Sequence, residues 1–500
     1  MAMDLADLLN PYVLLSLLMG VLVLYSQWFE TPVSLLKPLP APRAWPLVGN
    51  LPRLLATGFD FRAFHSRLSA SFEGALFSYR VFGKNVVVIP DGELAKKAFD
   101  DADLCAKPKD EFRAKLSKRV TAGIETSCKN AWEEHREVLA VYLGRESTND
   151  NMEQACLDEA SKLVRTLQDL KDAPFAPRRL VVMSSINILC QMLFGKAFEH
   201  DDPALGQFAD LVIEQQDVDE KLGLGCHLLP GWLAKLPFTS GRQRRNLEKQ
   251  VVEVVAGLLN ECGPSSSASS CFVSVYRKEM DERWRKVENN EVCSLDDTDL
   301  LWTCYDLIRM GVRTTSQLLT GTLLFLPNLP EVQAKLQQDI ADKIGLEEGP
   351  LPADKPKLPA IEAVLLETLR ISRDDPRLLV RVALADVAVG NFDIPQGIVV
   401  VADGERIRHD AQAWKEPDRF NPDRFLAADG TISMHQDLMF FGGGKRVFPA
   451  ESMATSIGFI LLARILQRLT LSTPKDTPAL SPPTCIQSLS GRLIASPRVS

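Results

Sequence analysis

Phe441-Gly442-Gly443-Gly444-Lys445-Arg446-Val447-Phe448-Pro449-Ala450-Glu451 decides how the rest of this 500-residue chain is read. Three consecutive glycines let a backbone turn tightly and approach a ligand closely. A phosphate loop is the obvious candidate, and it requires G-x-x-x-x-G-K-[ST]. Met439 stands at the outer glycine and Arg446 at the hydroxyl position, so that reading fails. Residues 450–469, just after the loop, carry apolar residues at helical spacing.

Three further stretches carry chemical information upstream. The first is Trp132-Glu133-Glu134-His135-Arg136, which places an indole and a guanidinium four apart on one helix face. The second is Gly311-Val312-Arg313-Thr314-Thr315, inside a stretch with helical periodicity over 297–326. The third is Glu367-Thr368-Leu369-Arg370, followed some fifty residues later by Phe420-Asn421-Pro422-Asp423-Arg424-Phe425. Each is weak alone. Glu367 and Arg370 at i,i+3 read equally well as a surface ion pair.

The surrounding chain reads as mainly α with a small β region. Helical periodicity marks 129–142, 152–170, 180–195, 204–217, 242–262, 330–344 and 359–371. Residues 75–82 and 85–89 read as two strands joined at Gly83-Lys84, and 378–382, 387–389 and 398–401 as short strands. Residues 402–447 read as irregular. Pro327 is placed to end the long 297–326 helix. With 57 basic and 65 acidic residues the net charge is -8, so overall charge gives no argument for nucleic acid as a partner. Ten cysteines and six histidines are scattered without C-x-x-C or H-x-x-x-H spacing, which speaks against a structural zinc site.

The start of the chain reads as a membrane anchor. Residues 8–29 are uncharged and mostly apolar, and about 20 such residues span a bilayer as a helix. Asp4 and Asp7 precede the stretch, while Lys37 and Arg43 follow it, which predicts a cytosolic body. Four prolines between Lys37 and Pro46 form a stiff spacer. The expected division is an anchor over 1–36 and one domain over 37–500.

Together, in this order and at these spacings, the four stretches resemble the cytochrome P-450 family of haem-thiolate monooxygenases over roughly residues 37–500. The anchor and proline strut match its microsomal members. The resemblance implies haem as cofactor, an apolar small-molecule ligand, a membrane-bound electron-donating reductase as partner, and the endoplasmic reticulum membrane as location. It implies haem contacts at Trp132, Arg136, Arg381, Phe441, Arg446 and Phe448, with the cationic and indole groups facing the propionates. It implies a structural charge network of Glu367, Arg370 and Arg424, and catalytic positions at Gly311 and Thr314.

The departures from the family pattern are at the reacting centre. Phe448 stands where the axial cysteine belongs, and Ala450 where a glycine belongs two residues later. The axial thiolate pushes electron density onto iron, and a phenyl ring has no lone pair to donate. No metal ligand is therefore assigned at that position. His435 and Met439 reach iron only if the loop rearranges. Across the haem, Met310 replaces a small residue and Arg313 replaces the acid that relays protons. The expectation is a divergent member that does not perform ordinary haem-thiolate monooxygenation, either haem-free or holding haem weakly without a thiolate. Two other readings stand beside it: an active oxidoreductase whose sequence contains an error or whose iron takes an unusual ligand, and a non-catalytic ligand-binding or interaction protein.

Overall fold

A computed structural model describes residues 39–46, 48–119, 121–228, 240–262, 271–287, 293–372, 379–435, 438–439, 442–447, 451–475 and 491–498. The anchor expected over 8–29 lies outside these residues, as do Phe441, Phe448 and Ala450. Among the described residues no helix is long and apolar enough to cross a membrane.

The architecture is mainly helical with small sheets. The helices used below are α1 (Phe61–Ser71), α2 (Gly92–Asp100), α3 (Glu111–Ser117), α4 (Gly123–Thr126), α5 (Lys129–Leu143), α6 (Glu146–Asp169), α7 (Pro177–Phe194) and α8 (Pro203–Leu222). They continue with α9 (Ser240–Glu261), α10 (Phe272–Val287), α11 (Asp297–Phe325), α12 (Pro330–Lys343), α13 (Pro359–Ile371), α14 (Gly404–Arg408) and α15 (Glu451–Arg468). The strands are β1 (Phe77–Val81), β2 (Lys84–Ile89), β3 (Val380–Val382), β4 (Val387–Val389), β5 (Phe392–Ile394), β6 (Val399–Ala402), β7 (Leu469–Ser472) and β8 (Ile494–Pro497). The expected first hairpin, the later short strands and the long helices are present. The strands β5, β7 and β8 were not expected, and the stretch read as irregular contains α14.

Helix α11 is the spine, and its 29 residues are nearly all buried. Asp296 caps it by accepting a hydrogen bond from the Asp299 amide, and Asp297 and Asp299 favour the positive end of its dipole. It stops at Phe325, and Pro327 follows within a short 3-10 turn. Two glycines bring neighbouring helices close to it. A Cβ on Gly311 would meet Leu189 of α7 at 2.9 Å, and a Cβ on Gly458 of α15 would meet Leu318 at 2.9 Å. Helix α13 is tied to α11 by the Thr322 hydroxyl donating to Thr368.

Four strands form the larger sheet in the order β1-β2-β6-β3, with β2 and β6 parallel and the other pairs antiparallel. Both faces are covered. Val86 and Val88 pack with Phe61, Phe64 and Leu68 of α1, while Val87 and Ile89 pack with Ala95, Ala98 and Phe99 of α2. Strand side chains alternate between faces. Because Val380 joins the α1 side, its neighbour Arg381 is turned to the α2 side.

Candidate functional site

The glycine loop lies beside the end of α2. Gly444 has φ +62, and a Cβ there would meet the Phe99 carbonyl oxygen at 1.9 Å. Only glycine fits that left-handed, crowded position. The contact fixes where Arg446 emerges.

Four of the expected donors converge there. The Arg446 guanidinium sits over the Trp132 ring at 4.4 Å, and that of Arg136 lies 5.5 Å from the same ring. Arg136 Nη1 donates to the Lys445 carbonyl at 2.8 Å, so α5 holds the loop directly. Arg381, fully buried, stacks over Phe99 at 4.6 Å and donates from Nη2 to the Gly443 carbonyl at 3.0 Å. Arg446 donates to the Ile124, Glu125 and Ser127 carbonyls. Among the described residues its buried Nε has no hydrogen-bond partner.

Burial lowers the pKa of both Arg381 and Arg446, and for Arg381 the nearby Arg446 charge adds to the effect. Two guanidiniums taken out of water and held near each other repel, which an anion between them would relieve. The residues present therefore fit a group bearing carboxylates, such as the haem propionates. Phe441 and Phe448, expected at the same site, lie outside the described residues.

A second constellation gathers around Glu367. Arg370 donates to its carboxylate from Nε at 2.8 Å and from Nη2 at 2.9 Å, and both side chains are fully buried. Arg424 Nε lies 3.2 Å from the same carboxylate, and the Asn421 amide donates to it at 2.8 Å. Two residues not anticipated complete the packing. Arg370 donates to the Arg408 carbonyl at 2.8 Å, and its guanidinium lies 5.3 Å from the Trp414 ring. The His435 ring rests on Trp414 with centroids 4.0 Å apart. Met439 is buried in the cluster that contains Phe99. Among the described residues no group of three or more His, Cys, Asp or Glu is arranged to hold a metal ion.

Thr314 and Gly311 both lie on α11, where Thr314 is buried and Leu189 takes up the space spared by Gly311. The two turns before Thr314 carry charge. Arg113 of α3 makes a bidentate pair with Asp306 at 2.7 and 2.9 Å and stacks over Trp302 at 4.4 Å. Arg309 pairs with Glu125 of α4, whose amide donates to Asp306 at 2.9 Å. Burial pushes the Asp306 carboxyl upward while Arg113 opposes it. Gly123 makes the close approach possible: its φ is +71, and a Cβ there would meet the Trp302 backbone at 2.7 Å. Helices α3 and α4 are thus fastened to α11 by buried ions. The signal was legible in Asp306, Arg309 and Arg313, one charged stripe on a core helix, but nothing periodic marked its partners.

The network extends to α9. Arg244 of α9 is largely buried between Asp110 at 2.9 Å, Asp219 at 3.1 Å and Glu248 at 3.6 Å. It must be counted with the core charges, because three carboxylates from separate elements surround it. Burial raises the Glu248 pKa to about 7; Asp110 and Asp219 add to this, and Arg244 and Arg113 oppose it. A carboxyl whose pKa rises on folding binds its proton more tightly in the folded chain. Its contribution to stability therefore falls as pH rises from about 4.5 to about 7, and is level above that. Glu248→Gln is expected to flatten this part of the profile and to stabilise the chain above neutrality. Thermal midpoints measured across the window check this, and an unchanged slope would contradict it.

Comparison with known proteins follows the same pattern. The sequence profile of a family described as Cytochrome P450 matches residues 39–492. The chain is 28% identical over 472 residues to a protein named Cytochrome P450 1A1 of Platichthys flesus, covering 90% of this chain and 88% of that one. It is 26% identical to Cytochrome P450 2U1 of Bos taurus, covering 93% and 89%. It is 28% identical to a Farnesoate epoxidase of Bombyx mori, covering 88% and 89%.

Proposed function

The chain belongs to the cytochrome P450 family, and we propose that it is a haem-holding member that does not carry out ordinary thiolate-dependent monooxygenation. The family's cofactor is haem, and its relatives support a monooxygenase-like ancestry. One observation carries the reading. The anion-receptive patch of Trp132, Arg136, Arg381 and Arg446 is intact, while the ligand position two residues after Arg446 is Phe448.

When bound in a thiolate-ligated member, haem supplies the iron chemistry that activates dioxygen. In this chain Arg381 and Arg446 would hold the propionates, with Phe99 bracing the Arg381 guanidinium and Trp132 that of Arg446. Phe448 would offer bulk where a donor atom is needed. On the opposite side, Gly311 and Thr314 occupy the family's catalytic positions. Arg313 cannot accept the proton that an acid in its place would relay. Glu367, Arg370 and Arg424 act as scaffold. Residues 1–36 serve as the anchor and 37–500 as the P-450-like domain. The body faces the cytosol at the endoplasmic reticulum, where a membrane reductase and an apolar small molecule are the partners.

The test is the absorption spectrum of the purified full chain, with haem content measured and the reduced protein exposed to carbon monoxide. Bound haem without a thiolate-type band is expected. A thiolate-type band, reductase-dependent hydroxylation of any substrate, or a protein that takes up no haem would each overturn the proposal.

The propionate assignment has its own check. Charge-assisted hydrogen bonds contribute roughly 1.5–3 kcal/mol each. Arg446→Gln is therefore expected to weaken haem binding about 10- to 100-fold in a haem titration. An unchanged affinity would remove Arg446 from the site.

A further inference from the structure

We infer that Cys262 and Cys271 form a peroxide-responsive thiol pair that closes into a disulfide between α9 and α10. Cys262 directly follows α9 and Cys271 directly precedes α10. Their sulfurs lie 3.8 Å apart, in van der Waals contact and buried. A disulfide needs about 2.05 Å between sulfurs, which side-chain rotation at two helix ends can supply. Helix ends are also where a fold opens first, which gives a small oxidant access.

The two thiols are chemically unequal. The Cys271 carbonyl accepts from the Val275 amide, which sets Cys271 at the N-terminal cap of a 16-residue helix. That end of the helix dipole carries partial positive charge. The Ser274 hydroxyl lies 3.2 Å from the Cys271 sulfur, within hydrogen-bonding reach. Cys262 sits at the opposite end of its helix, where its amide donates to the Leu258 carbonyl and the dipole disfavours negative charge. Arg277, one turn into α10, donates to the Cys262 carbonyl at 2.6 Å and holds the two ends together. Cys271 is thus the attacking sulfur and Cys262 the resolving one.

The chemistry balances with hydrogen peroxide as oxidant. The Cys271 thiolate attacks one peroxide oxygen, the O–O bond breaks, and hydroxide leaves with Cys271 as the sulfenic acid. The Cys262 sulfur then attacks the Cys271 sulfur, forming the S–S bond and expelling the sulfenic oxygen as water. Two thiols lose two electrons, one peroxide becomes two waters, and both thiol protons end in water.

The closed pair would bear on the patch described above. Phe272, next to Cys271, packs edge-on against Tyr142 of α5, and the Tyr276 hydroxyl lies 3.2 Å from His135 Nδ1. His135 precedes Arg136. A staple at the start of α10 would therefore restrict the helix that supports α5.

The test treats the full chain with hydrogen peroxide under native conditions, blocks remaining thiols, digests it and maps the peptides. The expected result is a peptide joining Cys262 to Cys271, lighter by two hydrogens, with a thermal midpoint raised by a few degrees that reverts on reduction. In Cys262→Ser, Cys271 should instead accumulate as a sulfenic acid trapped by dimedone, with no rise in midpoint. If that variant does not fold, the linked peptide from the unmodified chain remains the deciding readout. Absence of the linked peptide, a link from either residue to the neighbouring Cys304, or sulfenic acid trapped first on Cys262 would overturn the inference.

Discussion

Replacing Arg370 with alanine is expected to destabilise the fold by about 3–5 kcal/mol, the cost of leaving a buried charge without its partner. Arg370 supplies two hydrogen bonds to the fully buried Glu367 carboxylate, and the variant would leave Arg424 and the Asn421 amide to satisfy it. It would also remove the donor to the Arg408 carbonyl and the cation stacked near Trp414. The loss therefore reaches both α13 and the segment before the glycine loop. Denaturant unfolding of the full chain measures it, with the exposed Arg242→Ala as control. Surface changes of that kind are usually within about 0.5 kcal/mol. Equal stability of the two variants would show that the Glu367 network does not support the fold.

The second large effect is spectroscopic. Phe448→Cys is expected to convert a carbon monoxide spectrum with no thiolate-type band into one where most bound haem shows it. The propionate donors do not require the axial bond, so haem would be held in both proteins and only its ligand would differ. Hydroxylation should stay low even in Phe448→Cys, because Arg313 still stands at the acid's position. A spectrum unchanged by the substitution would mean that the loop no longer presents position 448 to the iron. Two departures on opposite sides of the cofactor make the separate readouts informative: the band reports the proximal change, and turnover reports the distal one.

Much of the fold was legible in the sequence because the signals are local. Apolar spacing marks α11 and α15, Pro327 ends the spine, and Gly83 turns the first hairpin. The Glu367–Arg370 pair also follows from helical spacing alone. Whether that pair is buried does not, since an i,i+3 ion pair looks the same in the core and on the surface.

The sequence by itself determined the family pattern and the identity of the residue at the ligand position, because both depend on residue type and order. Tertiary structure alone decided which groups meet. Arg136 reaches the Lys445 carbonyl across 309 positions, and no periodicity links them. Arg381 faces the glycine loop because strand alternation and the β3–β6 register turn it toward α2. The charges preceding Thr314 were visible as a stripe on α11. Their meaning came from Arg113 and Glu125, carried by two short helices that Gly123 allows to lie against it. Burial is a property of the packed chain, so the raised Glu248 carboxyl and the buried Arg244 could be read only there.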